Sequence, residues 1–121
     1  MTIDEFSKQM IEISNDAQVK LHDASRNGAY QSIPVPVLQR LYIKHRNLNF
    51  NVPSSVYQLV LVTFGFVTLD AIRRMKELYF ASLSEPDSWP VVIETCKQEL
   101  EQLIDTVTRE FDREAERSAT K

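Results

Sequence analysis

Apolar residues recur every three or four positions through residues 2–25, at Ile3, Phe6, Met10, Ile13, Ala17, Leu21 and Ala24. That spacing lines one face of a helix. Thr2 and Glu5 stand at capping-box spacing before it. Asp4 with Lys8 and Asp16 with Lys20 are favourable i,i+4 pairs on its wet side. Arg26-Asn27-Gly28 supplies the stop, with Gly28 suited to a left-handed cap. Pro34 and Pro36 then predict an extended linker over 29–36, and Pro36 suits the first turn of a short helix over 36–46. Val37, Leu38, Leu41 and Tyr42 form the apolar side of that helix.

The pattern changes at Asn47-Leu48-Asn49-Phe50-Asn51-Val52, which alternates with period two. It predicts a short strand or an extended connector with three apolar anchors. Pro53-Ser54-Ser55 offers a helix cap. From Val56 to Leu69 there are fourteen residues without a charge, and the apolar ones point every way around a helix. A helix apolar on all sides is expected to be buried on all sides. Ile72, Met75, Tyr79 and Leu83 then return to a one-sided pattern. The spacing favours one long helix over 55–83, bent or broken near Gly65. A strand over 56–64 is the alternative, because Val and aromatic residues are frequent there.

Ser84-Glu85-Pro86-Asp87 breaks the chain, and Ser88 and Pro90 suit the start of a last helix. Residues 89–116 carry the most regular pattern: Ile93, Cys96, Leu100, Leu103 and Val107 step by 3, 4, 3 and 4, and Phe111 follows. Such a seam packs against another helix. The reading is an all-α, helical-bundle-like single domain over 1–117 with a frayed tail at 118–121. Its central apolar helix lies beneath amphipathic N- and C-terminal helices.

Charge refines this picture. The net charge of −3 is unevenly spread. Residues 1–23 hold five acids and two bases, and residues 70–121 hold twelve acids and eight bases. Residues 24–69 contain no carboxylate, only Arg26, Arg40, Lys44 and Arg46. A buried middle with few charges accounts for this, although such asymmetry also marks anion-binding faces. The single cysteine, Cys96, excludes an internal disulfide and fits a reduced, cytoplasmic setting. The acidic start lacks the features of a secretion signal. As a helix the uncharged run of fourteen residues spans about 21 Å, short of the roughly 30 Å of a hydrocarbon core. No membrane partner is expected.

Candidate chemistry is sparse. There is no Gly-rich phosphate loop, no GxSxG and no HExxH. His22 and His45 fall on different elements, without a carboxylate or cysteine at convincing ligand spacing. The carboxylates of 94–116 lie on a solvated face, where nothing shifts them toward catalytic pKa values. No catalytic residue, cofactor or metal is assigned. The expected function is a small non-catalytic interaction protein (an adaptor, inhibitor, assembly chaperone or regulator) working through apolar helical faces as a homodimer. The candidate interface is the seam Ile93, Cys96, Leu100, Leu103, Val107 and Phe111, and the seam over 3–24 is a second candidate.

The stretch 47–74 supplies an alternative. Asn-Leu-Asn-Phe-Asn-Val-Pro-Ser-Ser-Val resembles the strand and helix start of a ribbon–helix–helix DNA-binding module. The resemblance implies that Leu48, Phe50 and Val52 point into a dimer core while Asn47, Asn49 and Asn51 face bases. Lys44 and Arg46 would meet phosphates. It also implies a turn at Gly65 and a second helix from Thr68 to Met75.

Overall fold

A computed structural model describes residues 1–46 and 55–120, with Arg46 described by its backbone alone. Among these residues the fold is all-α, with four helices and no strand. The helices are α1 (Ile3–Ser25), α2 (Val35–Arg46), α3 (Val56–Ser82) and α4 (Trp89–Ala119). Short 3-10 turns, Gly28–Ser32 and Pro86–Ser88, precede α2 and α4. The alternation over 47–52 lies outside the described residues.

Most helix boundaries follow local chemistry. The capping box forms as expected: Glu5 N–H donates to Thr2 Oγ1 at 3.2 Å, and Thr2 N–H donates to Glu5 at 3.4 Å. Those bonds satisfy donors that a bare helix start leaves open. Gly28 is not the left-handed cap. α1 closes at Arg26, and the Asn27 side chain accepts from Ala29 N–H to start a 3-10 turn. The stretch 29–36 is therefore extended only around Ile33, and α2 begins at Val35. Ser88 does not cap α4 with its side chain; its hydroxyl donates to Glu85 O instead. α4 continues through Ala119.

The strand alternative for 56–64 fails, because α3 is one helix of 27 residues that runs straight through Gly65. Val-rich sequence becomes helical here because packing overrides propensity. Leu59, Val60, Phe64 and Val67 are buried in one cluster with Leu21, Leu38, Tyr42, Val107 and Phe111. The one buried hydroxyl in this run, on Thr63, donates to Leu59 O at 2.6 Å, so no polar group is stranded.

Helix directions follow from paired contacts. Ser7 of α1 meets Tyr79 of α3, whereas Leu21 and Ser25 lie beside Leu61 and Phe64, so α1 and α3 are antiparallel. Arg74 meets Glu99 and Phe64 meets Phe111, so α3 and α4 are antiparallel too. A second cluster contains Phe6, Met10, Met75, Trp89, Ile93, Cys96 and Leu100. Leu103 and Ile104 of α4 pack against both clusters and join them into one core.

The expectation that α3 is enclosed on every side is not met. Among the described residues it packs on α1, α2 and α4, and Tyr57, Leu69 and Phe80 stay exposed on it. α3 is long and apolar enough to cross a membrane by length and composition, and only 28% of its most apolar stretch is buried. This helix has more apolar faces than the described chain has helices to cover them.

Candidate interaction groove

The exposed side of α3 forms a groove with α1. One depression, of about 350 Å3, is lined by Ser7, Met10, Ile11, Ser14, Ile72, Met75, Lys76, Tyr79 and Phe80. A second, of about 290 Å3, is lined from α1 by Gln18, Leu21, His22 and Ser25, and from α3 by Leu61, Phe64, Gly65, Thr68, Leu69 and Ile72. Ile72 and the shared helix pair make the two depressions one groove along the α1–α3 seam.

Its composition is asymmetric. The α1 wall mixes Ser7, Ser14, Gln18, His22 and Ser25 with Met10, Ile11 and Leu21, while the α3 wall is largely apolar. Ile11, Leu69 and Phe80 stand 60%, 58% and 65% exposed along the edges. Scattered exposed apolar residues are ordinary, but several on one face form a patch of the kind that marks docking sites. Ser7 and Tyr79 share a hydroxyl–hydroxyl bond of 2.6 Å at one end, fixing the spacing of the walls. At the other end Gly65 leaves a gap: a Cβ there would meet nothing within 4 Å. Lys76 is the one lining residue with a permanent charge.

A different cleft, of about 290 Å3, lies where α3 and α4 meet the end of α2. It is more polar, with His45, Asp70, Arg74, Cys96 and Glu99 among its lining residues. Arg74 donates twice to Glu99, at 2.8 and 3.0 Å. Nearby, Lys44 Nζ lies 2.8 Å from one oxygen of Glu110, and His45 Nε2 lies 3.1 Å from the other. These polar groups neutralise one another and tie α2 and α3 to α4. Cys96 is fully buried, and burial pushes its thiol up, with Glu99 adding and Arg74 opposing. A raised thiol packs as a small hydrophobe and is a poor nucleophile. The Tyr30 hydroxyl donates to Asp112 at 2.8 Å, and burial, then Asp112, push that phenol well above its usual range. Among the described residues no three His, Cys, Asp or Glu groups are placed to hold a metal ion.

Partial burial alone would raise the Glu110 carboxyl. The hydrogen bonds from Lys44 and His45, with their charges, outweigh burial and hold it below the usual carboxylate range. Glu110 in the folded state thus binds its proton less readily than in the unfolded chain. Its contribution is present above the ordinary Glu range and is lost as pH falls through the depressed value. Stability is expected to decline on acidification below about pH 5. Glu110→Gln should be less stable than wild type at neutral pH and converge with it in acid. Urea midpoints measured across pH test this, and parallel curves would count against it.

The sequence-predicted interface needs correction. Ile93, Cys96, Leu100, Val107 and Phe111 are buried inside the fold, and Leu103 is partly buried between the two clusters. The seam is regular because α4 packs against α1 and α3, so it is not an open surface. The DNA-binding residues are only partly placed. Lys44 pairs with Glu110, Arg46 ends α2, and Asn47, Asn49 and Asn51 lie outside the described residues. The turn at Gly65 and the separate second helix that the resemblance implies are absent, because α3 is continuous there. Sequence reasoning missed Ile11, Leu69 and Phe80. Their signal was an apolar residue off the main seam of its helix, meaningful only once the neighbours are known.

The chain matches no known family model, no curated protein and no solved structure.

Proposed function

We propose that the protein is a small non-catalytic interaction module, an adaptor, inhibitor, assembly chaperone or regulator, that docks apolar helical surface in its α1–α3 groove. The observation that carries this is the convergence of Ile11, Leu69 and Phe80 along one open groove in an otherwise well-packed fold. Apolar walls about a helix long suit the helix-in-groove mode of recognition. The polar cleft offers no rival of equal weight, since its charges are satisfied within the fold and its thiol is buried. The lone buried cysteine also suits a reducing, cytoplasmic setting.

The test compares wild type with Phe80→Asp and Gly65→Leu as baits in native lysate, with and without nuclease. Val91→Asp serves as a control, since Val91 is exposed on α4 and lines neither depression. Losing an apolar anchor from a docking site costs about 2 kcal/mol or more, roughly 30-fold in affinity. Partners captured by wild type and Val91→Asp should drop out with both groove variants. Capture unaffected by the groove variants would refute the reading. Capture that nuclease abolishes and that falls steeply with salt would favour the DNA-binding alternative.

A further inference from the structure

We infer that the occupant of the groove is a second copy of this chain, related by a two-fold axis that passes between the two α3 helices at the level of Ile72 and Arg73 and sets them antiparallel. This rests on the groove being a docking face and names its partner. Three observations converge on it.

The first is shape. Phe80 is the most exposed ring along the groove, and Gly65 lies where an added side chain would find open space. They are fifteen residues apart on one helix, about 22 Å at 1.5 Å per residue. The point midway between them is the Ile72–Arg73 step. A two-fold axis there carries Phe80 of each copy to the Gly65 level of the other. Knob and gap then meet twice, as a self-complementary interface requires. At the level of the axis the α1 wall carries Ser14, which lines the groove with Ile72 and whose small side chain permits close approach.

The second is charge. Asp70 and Arg73 are both exposed and lie 3.6 Å apart on one side of that level. Reversal about the axis lines up the rim charges in the order Asp70, Arg73 of the other copy, Arg73, Asp70 of the other copy, so each Asp70 gains an opposite charge beside it and offsets the approach of the two arginines. Lys76 comes to the level of the partner's Leu69, where its aliphatic stem covers an exposed apolar side chain.

The third is size. From Leu61 to Phe80 the groove is about 28 Å long, and two helices side by side are about 20 Å wide. The footprint is on the order of 600 Å2 per copy, at the lower end of what stable specific interfaces bury. A dimer of moderate affinity follows. A lipid surface is the less suitable occupant, because Lys76 stands within the groove and the exposed pair Asp70 and Arg73 lies at its rim.

The experiment is sedimentation of the full chain over a concentration series, joined to directed cross-linking. Wild type should pass from a particle of 14.0 kDa to one twice that mass. Gly65→Leu should weaken association at least tenfold with its helical circular dichroism unchanged. In a Cys96→Ala background, Gly65→Cys and Phe80→Cys chains are mixed and oxidised with copper–phenanthroline in air. Within one chain the two positions are about 22 Å apart, far beyond disulfide reach, so a covalent product must join two copies. A covalent dimer from the mixture, and none from either variant alone, is expected. A wild type that stays at 14.0 kDa up to about 100 μM overturns the inference, as does a dimer without the 65–80 link. Monomers that bind phosphatidylcholine–phosphatidylglycerol vesicles through Phe80 overturn it as well. A monomeric wild type whose lysate partners are still lost on Gly65→Leu would refute the second copy alone and leave the docking groove standing.

Discussion

Leu100→Asp is expected to unfold the protein rather than merely weaken its associations. Leu100 is 5% exposed and belongs to the cluster of Phe6, Met10, Met75 and Cys96. Removing the leucine leaves a cavity worth about 2–5 kcal/mol. Placing a carboxylate there adds the cost of an unpaired buried charge, several kcal/mol more. The sum rivals the whole stability of an ordinary domain, about 5–15 kcal/mol. Far-UV circular dichroism and urea unfolding decide the matter. A cooperatively folded Leu100→Asp protein with a wild-type midpoint would show that the α4 seam is not core. Val91→Asp, within the first turn of α4 but exposed, should shift stability by no more than about 0.5 kcal/mol.

That contrast shows what was legible in sequence. The 3, 4, 3, 4 steps from Ile93 to Val107 specify a helix and which of its faces is apolar. They do not specify whether the facing helix belongs to the same chain, because an intramolecular and an intermolecular seam obey the same packing rule. In the structure α1 and α3 of the same molecule fill that role. The N-terminal capping box was readable because its partners are three residues apart, and local bonds leave local signatures. The third helix was readable as apolar on all sides, but enclosure is a property of its neighbours. Three helices pack on it, and Leu69 and Phe80 remain outside.

Gly65 illustrates the same limit. A glycine within an apolar run suggests a break, and the ribbon–helix–helix resemblance gave that break a purpose. Its local cost in a helix is only about 1 kcal/mol relative to alanine. The buried neighbours Thr63, Phe64 and Val67 hold the helix together through tertiary contacts, and those contacts outweigh the local penalty. What the missing side chain contributes instead is space in the groove. No periodicity argument conveys that, since it depends on α1 running alongside.

Trp89→Ala should cause the second large loss, and a graded series can separate its parts. Trp89 opens α4 directly after the turn that follows α3, and it is buried. Its ring stacks on Phe6 of α1, with centroids 4.8 Å apart and planes 8° from parallel. Its Nε1–H donates to Ser82 O at 2.8 Å, at the end of α3. One side chain therefore joins three helices at one end of the bundle. Truncation to alanine is expected to cost about 3–5 kcal/mol, mostly through lost packing. Trp89→Phe retains an aromatic partner for Phe6 and removes the indole donor. Ser82 O still accepts from Glu85 N–H at 2.9 Å, so no buried acceptor is orphaned. The hydrogen-bond loss should then be about 1 kcal/mol, with a further contribution from reduced volume. A double-mutant cycle with Phe6→Leu isolates the stacking, expected at about 0.5–1.5 kcal/mol beyond area burial. If Trp89→Ala and Trp89→Phe destabilise equally, packing against Phe6 is not what secures this end, and the hydrogen bond to Ser82 must dominate. The far smaller size of a typical net hydrogen bond argues for the opposite order.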